Sequence, residues 1–242
     1  MFIIPMAGLS SRFFKEGYTE PKFKLPIWGR SVFSRAVRSF ENYFKTDDFL
    51  FITTEEHDAP AFIQQEIKEL GIENFNIVTL HHATAGQAET VFLGTQDIPP
   101  STPLIIFNID TFRYNYKKPD FLQKCDGYLE VFKGDGDHWS FVEPLDAIKV
   151  LRTTEKERVS DLCSDGLYYF KKKSLFDESF ADAMMHKRTV NNEYYIAPLY
   201  NYLIVEEKKI YYQYIERSSI DFCGTPEEYH HLLQKDAVRL TY

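Results

Sequence analysis

Residues 49–80 read FLFITTEEHDAPAFIQQEIKELGIENFNIVTL, and their pattern decides the fold class. FLFITT is a short apolar run of strand length, rich in aromatic and β-branched side chains. After a polar break, Phe62, Ile63, Ile67 and Leu70 share one face of a helical period, and Gly71 ends it. FNIVTL is again strand-like. Strand, helix and strand in succession form a βαβ unit, whose strands lie parallel and whose crossover is right-handed.

The alternation extends both ways. Upstream, FIIPM breaks at AGLSS, and SVFSRAVRSFENYF predicts a helix with Phe33, Val37, Phe40 and Phe44 inward and Ser31 as N-cap. Downstream, TAGQAETVFLGTQ predicts a turn entering a helix, and PLIIFNID a strand closed by Asp110. Strands alternating with helices make an α/β protein with a Rossmann-like mixed, mostly parallel sheet and helices on both faces. The later sequence changes character. DGYLEVF, WSFVEPL, AIKVLRTTEK, DGLYYFKK and KIYYQYIE are strand-like and aromatic, while SLFDESFADAMMHK and EYYIAPLYNYLIV predict helices. No flexible linker, repeat or low-complexity tract interrupts the chain. One domain, 1–242, is expected, with halves 1–115 and 116–242 and a smaller, β-rich lobe.

Composition bounds the partners. Hydrophobic residues make up 44% and aromatic residues 16%, enough for a filled interior with rings left over for a cleft. A net charge of -8 repels a phosphate backbone, so nucleic acid is not an expected partner. No apolar stretch approaches the roughly 20 residues that span a bilayer. FIIPM also opens without a basic leader, so no membrane association and a cytoplasmic setting are expected. An oligomer is left open. Cys125, Cys163 and Cys223 are widely spaced without a CxxC pair, which predicts semi-buried fillers and neither a disulfide framework nor a zinc site.

Ligands of parallel sheets collect beyond the carboxyl ends of the strands, so AGLSSR, TAGQAE and NID should open onto one edge. Gly8, Ser10 and Ser11 are small enough for backbone N–H groups to converge on an anion, with the hydroxyls as further donors. Arg12 adds a fork suited to phosphate oxygens, and Pro21 holds Lys22, a point charge, at the end of an extended segment. AGLSS alone is neither a G-x-G-x-x-G fingerprint nor a Walker loop, and a solvated surface turn is its simpler reading. The cations at fixed spacing make the constellation specific.

That constellation, MAGLSSRF followed by Pro21-Lys22, resembles the opening signature of the nucleotidyltransferases that make nucleotide sugars, G-x-G-[ST]-R and then P-K. Gly8, Ser11, Arg12, Pro21 and Lys22 occupy matching places. Ser10 stands where a second glycine is usual, so a left-handed backbone angle there is either not required or strained. TAGQAETVFLG is similar to the family's base-recognition segment, IFNID to its metal-binding strand end, and TTEKERVSD with DGLYYF to its acceptor-side Glu-Lys pair and Gly-Tyr strand. DFCGTPEEYHHLL is similar to its closing G-T-P segment. The matches run in family order over almost the whole chain, and GQAETVFLG, WSFVE and EYYIAPLYN point to the capsule and surface-polysaccharide subgroup.

The resemblance implies a GT-A-like nucleotidyltransferase fold. It also implies condensation of a nucleoside triphosphate with a phosphorylated acceptor, by default a sugar 1-phosphate, giving an NDP-sugar and pyrophosphate. Arg12, Lys22 and Asp110 are then catalytic. Ala7, Gly8, Leu9, Ser10, Ser11, Ala85, Gly86, Gln87 and Asn108 are nucleotide contacts, with Gln87 reading the base edge. Glu155, Lys156, Gly166 and Glu193 are acceptor contacts. Mg2+ falls on Asp110 with Asp221 as second ligand, although Phe222 occupies the usual aspartate position and a bulge would be needed to bring Asp221 in. Three rivals stand beside this: a cytidylyltransferase acting on a small phosphate such as phosphocholine, a GT-A glycosyltransferase with Asn108-Ile109-Asp110 in place of Asp-x-Asp, and a nucleotide-binding paralogue without catalysis. Elsewhere, His81 and His82 read as one packed and one solvated, KGDGDHW as a hairpin turn and Tyr169 as core. Trp139 reads as either a stacking platform or lobe filler.

Overall fold

The computed structural model describes residues 1–235; residues 236–242 of the expected second half lie outside the described residues. In β1 (Phe2–Pro5) the pleat sends Phe2 and Ile4 into one core and Ile3 into another. A turn leads to α1 (Ser11–Lys15) and then to a short hairpin of β2 (Pro26–Ile27) and β3 (Arg30–Ser31). As predicted, Ser31 caps α2 (Val32–Val37), its Oγ accepting from the Ser34 N–H at 2.9 Å. The rest of the predicted helix is a 3-10 turn (Arg38–Tyr43) kinked at Phe40. The kink brings the Phe40 ring to 4.5 Å from Phe2 and 4.9 Å from Phe107, so aromatic packing in the core overrides helix continuity here.

β4 (Phe49–Thr54), α3 (Ala59–Leu70) and β5 (Phe75–Leu80) occupy the predicted strand, helix and strand, with Gly71 closing α3 at φ 73°. α4 (Gln87–Gly94) and β6 (Leu104–Phe107) follow, and Asn108, Ile109 and Asp110 fall in the turn to β7 (Thr111–Arg113). The second half contains β8 (Gly127–Lys133), β9 (Ser140–Pro144), β10 (Val150–Glu155), β11 (Leu162–Phe170), α5 (Lys173–Met185) and α6 (Tyr200–Val205). It ends with β12 (Ile210–Tyr214), β13 (Ile220–Phe222) and α7 (Pro226–Gln234).

The main sheet has the order β10-β9-β11-β6-β1-β4-β5, with β8 and β12 added on the other flank of β11. β6, β1, β4 and β5 are parallel, and β11 runs against β6 with Tyr168 opposite Ile106. The expected mixed α/β sheet is thus present, and one continuous ladder crosses from the first half to the second. α2 and α3 bury Phe33, Val37, Ile63 and Ile67 on one face, while α4, α5 and α6 bury Val91, Phe176, Phe180 and Leu203 on the other. Each such side chain contributes about 1.5–3 kcal/mol by burial.

Three local expectations change. KGDGDHW is no hairpin: β8 and β9 lie on opposite sides of β11, with Phe132 and Phe141 both opposite Cys163, so the segment crosses over the strand. EYYIAPLYNYLIV becomes helical only from Ala197. The cysteines are fully buried free thiols rather than semi-buried ones, and Tyr169 is core as expected.

Candidate functional site

Past β1, Ser10 adopts φ 49° and ψ 28°. The left-handed angle is therefore required, and serine meets it at about 1–2 kcal/mol. Its side chain offsets part of this: Ser10 Oγ accepts the Lys22 backbone N–H at 3.2 Å. The residue in the glycine's place thus ties the turn to the lysine. Pro21, at φ -65° and ψ 151°, extends the chain into Lys22, whose Nζ donates to Asp110 Oδ2. Both side chains are 20% exposed.

Two cavities meet at this pair. The first, about 460 Å³, lies between the turn from Ala7 to Ser11 and the Thr84–Gln87 stretch. The second, about 370 Å³, is walled by Trp139, Glu155, Gly166, Tyr168 and Phe222, with Arg12 at its rim. Ser11, Lys22, Gln87, Asn108, Asp110 and Tyr195 line both. Gly86, at φ 112°, opens α4, and a Cβ there would lie 2.6 Å from the Tyr194 carbonyl oxygen. This close approach lets the Tyr194 N–H donate to the Ala85 carbonyl at 2.7 Å while its own carbonyl accepts from the Ala88 N–H at 3.0 Å. Residues 193–195, expected in a helix, instead form an extended clasp on α4.

Several expected contacts move as a result. Ala85 uses its N–H on the Glu89 carboxylate and its carbonyl on Tyr194, so its backbone is already committed. Gln87, expected at the base edge, sits at the junction of the cavities, where its Nε2 donates to Asn108 Oδ1 at 2.5 Å. The Asn108 amide packs on Gly166, where φ is 93° and any Cβ would overlap it. Glu193 was expected beside the acceptor but lines the first cavity.

On the second wall, Glu155 is 8% exposed and accepts from the Ser140 hydroxyl; burial raises its carboxyl above the ordinary range. The Tyr168 hydroxyl lies 3.4 Å from Ser140 Oγ. Trp139 packs 4.7 Å from Phe222 and edge-on to Phe132, which places the indole in the wall. Lys156, with φ 56°, is 3.9 Å from Glu155 Oε1 and donates to the Tyr195 hydroxyl at 2.5 Å. Beside the floor, Asp165 and Glu130 are buried with Arg113, whose Nε donates to Glu130 Oε2 at 2.7 Å. Two buried carboxylates against one guanidinium leave a surplus charge, and burial next to Glu130 raises the Asp165 carboxyl well above its usual range.

Asp221 is not brought to Asp110. Phe222 takes the cavity side of β13, so the pleat turns Asp221 away. There it accepts from the Tyr114 hydroxyl at 2.8 Å and pairs with Lys235. The carboxylate that does approach is Glu228. A side chain on Gly224 would lie 3.0 Å from Asp110 Oδ2 and 3.4 Å from Glu228 Oε2. Glu228 also accepts from the Gly224 and Thr225 N–H groups at 2.8 and 3.0 Å, completing the capping box of α7. The T-P-E-E stretch carries that capping signature in the sequence; Tyr195 has no such signal. Among the described residues no three His, Cys, Asp or Glu side chains cluster as a metal cage. Asp110 with Glu228 nearby suits Mg2+, which takes one or two carboxylates and completes its shell with substrate phosphate and water. His81 and His82 are both exposed, against the expected packed and solvated pair.

No protein-family model matches the chain, and neither does any curated protein. Among solved structures, a nucleoside-diphosphate-sugar pyrophosphorylase from Vibrio cholerae RC9 is 45% identical, with 97% of this chain and 100% of that one covered, at TM-score 0.93. A UDP-glucose pyrophosphorylase complexed with UDP-glucose shares the fold at 16% identity and TM-score 0.74, covering 96% of each chain. The inositol-1-phosphate CTP transferase from T. maritima does so at 12% and 0.73, covering 97% of this chain and 94% of that one. With nearly half its residues shared over the full length of the Vibrio protein, the chain belongs to the nucleotide-sugar pyrophosphorylases, the sugar-phosphate nucleotidyltransferase family, and is a nucleotidyltransferase.

Proposed function

We propose that this enzyme joins a nucleoside triphosphate in the first cavity to a sugar 1-phosphate in the second, forming an NDP-sugar and pyrophosphate. The observation that carries this is the meeting of the two cavities at Lys22, Asp110, Gln87 and Asn108. An ionised acceptor phosphate attacks the α-phosphorus and pyrophosphate leaves in line. The nucleophile needs no general base, so catalysis reduces to positioning and charge neutralisation. Lys22 at the junction offsets the triphosphate charge, with Arg12 adding to it from the rim of the second cavity, backbone N–H groups around Gly8 and Ser11 hold it, and Lys156 serves the acceptor phosphate. Bound Mg2+, held by Asp110 and Glu228, would supply further neutralisation of phosphate charge.

A sugar is favoured on the acceptor side. The buried Glu155 carboxylate and the hydroxyls of Ser140, Ser164 and Tyr168 are among the groups that line that cavity, and such polar groups suit a polyhydroxyl ring. Residues 1–115 and 116–242 act as nucleotide and acceptor halves of one domain, in keeping with the β11–β6 ladder that joins them. No helix of the described residues is long and apolar enough to cross a membrane. We place the enzyme in the cytoplasm, in capsule or surface-polysaccharide synthesis, on the motif resemblance. The test crosses CTP, UTP, GTP and dTTP with sugar 1-phosphates and phosphocholine, with Mg2+, and follows pyrophosphate. Release with one triphosphate and a sugar 1-phosphate is expected. Release only with phosphocholine, or with no pair, overturns it.

A further inference from the structure

Tyr195 stands in the wall of both cavities. Its hydroxyl accepts from Lys156 Nζ at 2.5 Å, and the same ammonium lies 4.5 Å from the ring centroid. The direction of this bond is forced, because an ammonium can only donate. Tyr195 is in turn placed by the clasp, since its neighbour Tyr194 is bonded on both sides to the start of α4 across Gly86. Lys156 has a left-handed backbone, a conformation that a residue with a side chain keeps only when its surroundings hold it. The lysine next to the acceptor wall is therefore held through a segment hung on the nucleotide side. Tyr195, which holds it, lines the first cavity together with Glu193.

We propose that Tyr195 is a positioning residue that couples the two subsites: nucleotide packing against Glu193 and Tyr195 fixes the hydroxyl that aims Lys156, so the acceptor phosphate binds more tightly to the nucleotide-loaded enzyme. This rests on the assignment of nucleotide and sugar phosphate to the two cavities. Lys156 then needs less ordering when the second ligand arrives, and by reciprocity the acceptor tightens the nucleotide by the same factor.

The experiment is calorimetry on the full chain with Mg2+. Glucose, galactose, mannose and N-acetylglucosamine 1-phosphates are titrated alone and with each α,β-methylene analogue of CTP, UTP, GTP and dTTP. Wild type should bind one sugar phosphate at least about fivefold more tightly in the presence of its analogue. Tyr195→Phe keeps the ring under Lys156 and removes only the hydroxyl. It should leave analogue affinity within about twofold and bring the enhancement close to one. Tyr195→Phe added to Lys156→Met should weaken acceptor binding no further than Lys156→Met alone, since both remove one interaction. An enhancement that survives in Tyr195→Phe, or additive losses in the double variant, overturns the coupling. If analogue and sugar phosphate bind wild type without affecting each other, the coupling falls while the proposed function stands. If no analogue or no sugar phosphate binds wild type, both fall.

Discussion

The two walls of the site are built from different materials. The first is mostly main chain: a turn after β1 with exposed Gly8 and Leu9, and a glycine opening α4. The second is mostly side chain, with Glu155, Ser164 and Tyr168 fixed on buried strands. Under the proposed function the first wall meets a triphosphate, which is the same in every nucleotide and can be held by backbone donors. An acceptor must be told from its isomers, which takes particular groups at particular places. Substitutions should therefore separate into those that stop turnover and those that change what is turned over.

The seam between the walls should be the most sensitive place. Asp110→Ala and Lys22→Ala should each lower turnover by roughly two or more orders of magnitude while the melting temperature stays near wild type; pyrophosphate release at the wild-type rate by either would remove the seam from the mechanism. Next, Gly166→Ala must push against the Asn108 amide at a φ of 93°, costing about 1–3 kcal/mol, and should lower both melting temperature and turnover. An unchanged melting temperature would mean that the second wall is softer than its burial suggests. Lys156→Ala should raise the acceptor KM roughly tenfold and leave nucleotide binding to the acceptor-free enzyme unchanged; the reverse pattern would put Lys156 on the wrong wall.

Two weaker effects test the charges around the site. The Asp165 carboxyl is raised in the folded protein, so the native state keeps a proton that the unfolded chain loses near pH 4. Its contribution to stability is complete below that pH and is lost as pH climbs towards the raised value. Asp165→Asn is always neutral, so its melting temperature should fall less than that of wild type between pH 5 and 9. Equal slopes would show that Asp165 is ionised in the native state. Asp221→Asn should have the smallest effect, about 1 kcal/mol from altered bonds to Tyr114 and Lys235, with the Mg2+ requirement unchanged. A raised Mg2+ requirement would return Asp221 to the metal.

Much of the first wall was legible in the sequence because strand ends, small residues and the Arg12 and Lys22 spacing all lie along the chain. The second wall was less so. DFC is too short a run to show which way its pleat faces, and that phase alone decides between Phe222 and Asp221. Glu193 lines the first cavity because Tyr194 gives its backbone to Ala85 and Ala88, a contact set by the absence of a side chain on Gly86 more than 100 positions upstream. Gln87 donates to Asn108, a partner that no local pattern reveals. Ser10 is the instructive intermediate case: its conformation could be anticipated, but the hydroxyl bond to the Lys22 backbone could not.

The ladder in which β11 pairs with β6 leaves little room for a hinge between the halves. Rotating one half against the other would break the main-chain bonds around Tyr168 and Ile106 in the middle of the molecule. Substrate entry and product escape must then be handled by surface segments and swinging side chains, and the rate at which these move sets a ceiling on throughput that no repacking of the interior can lift.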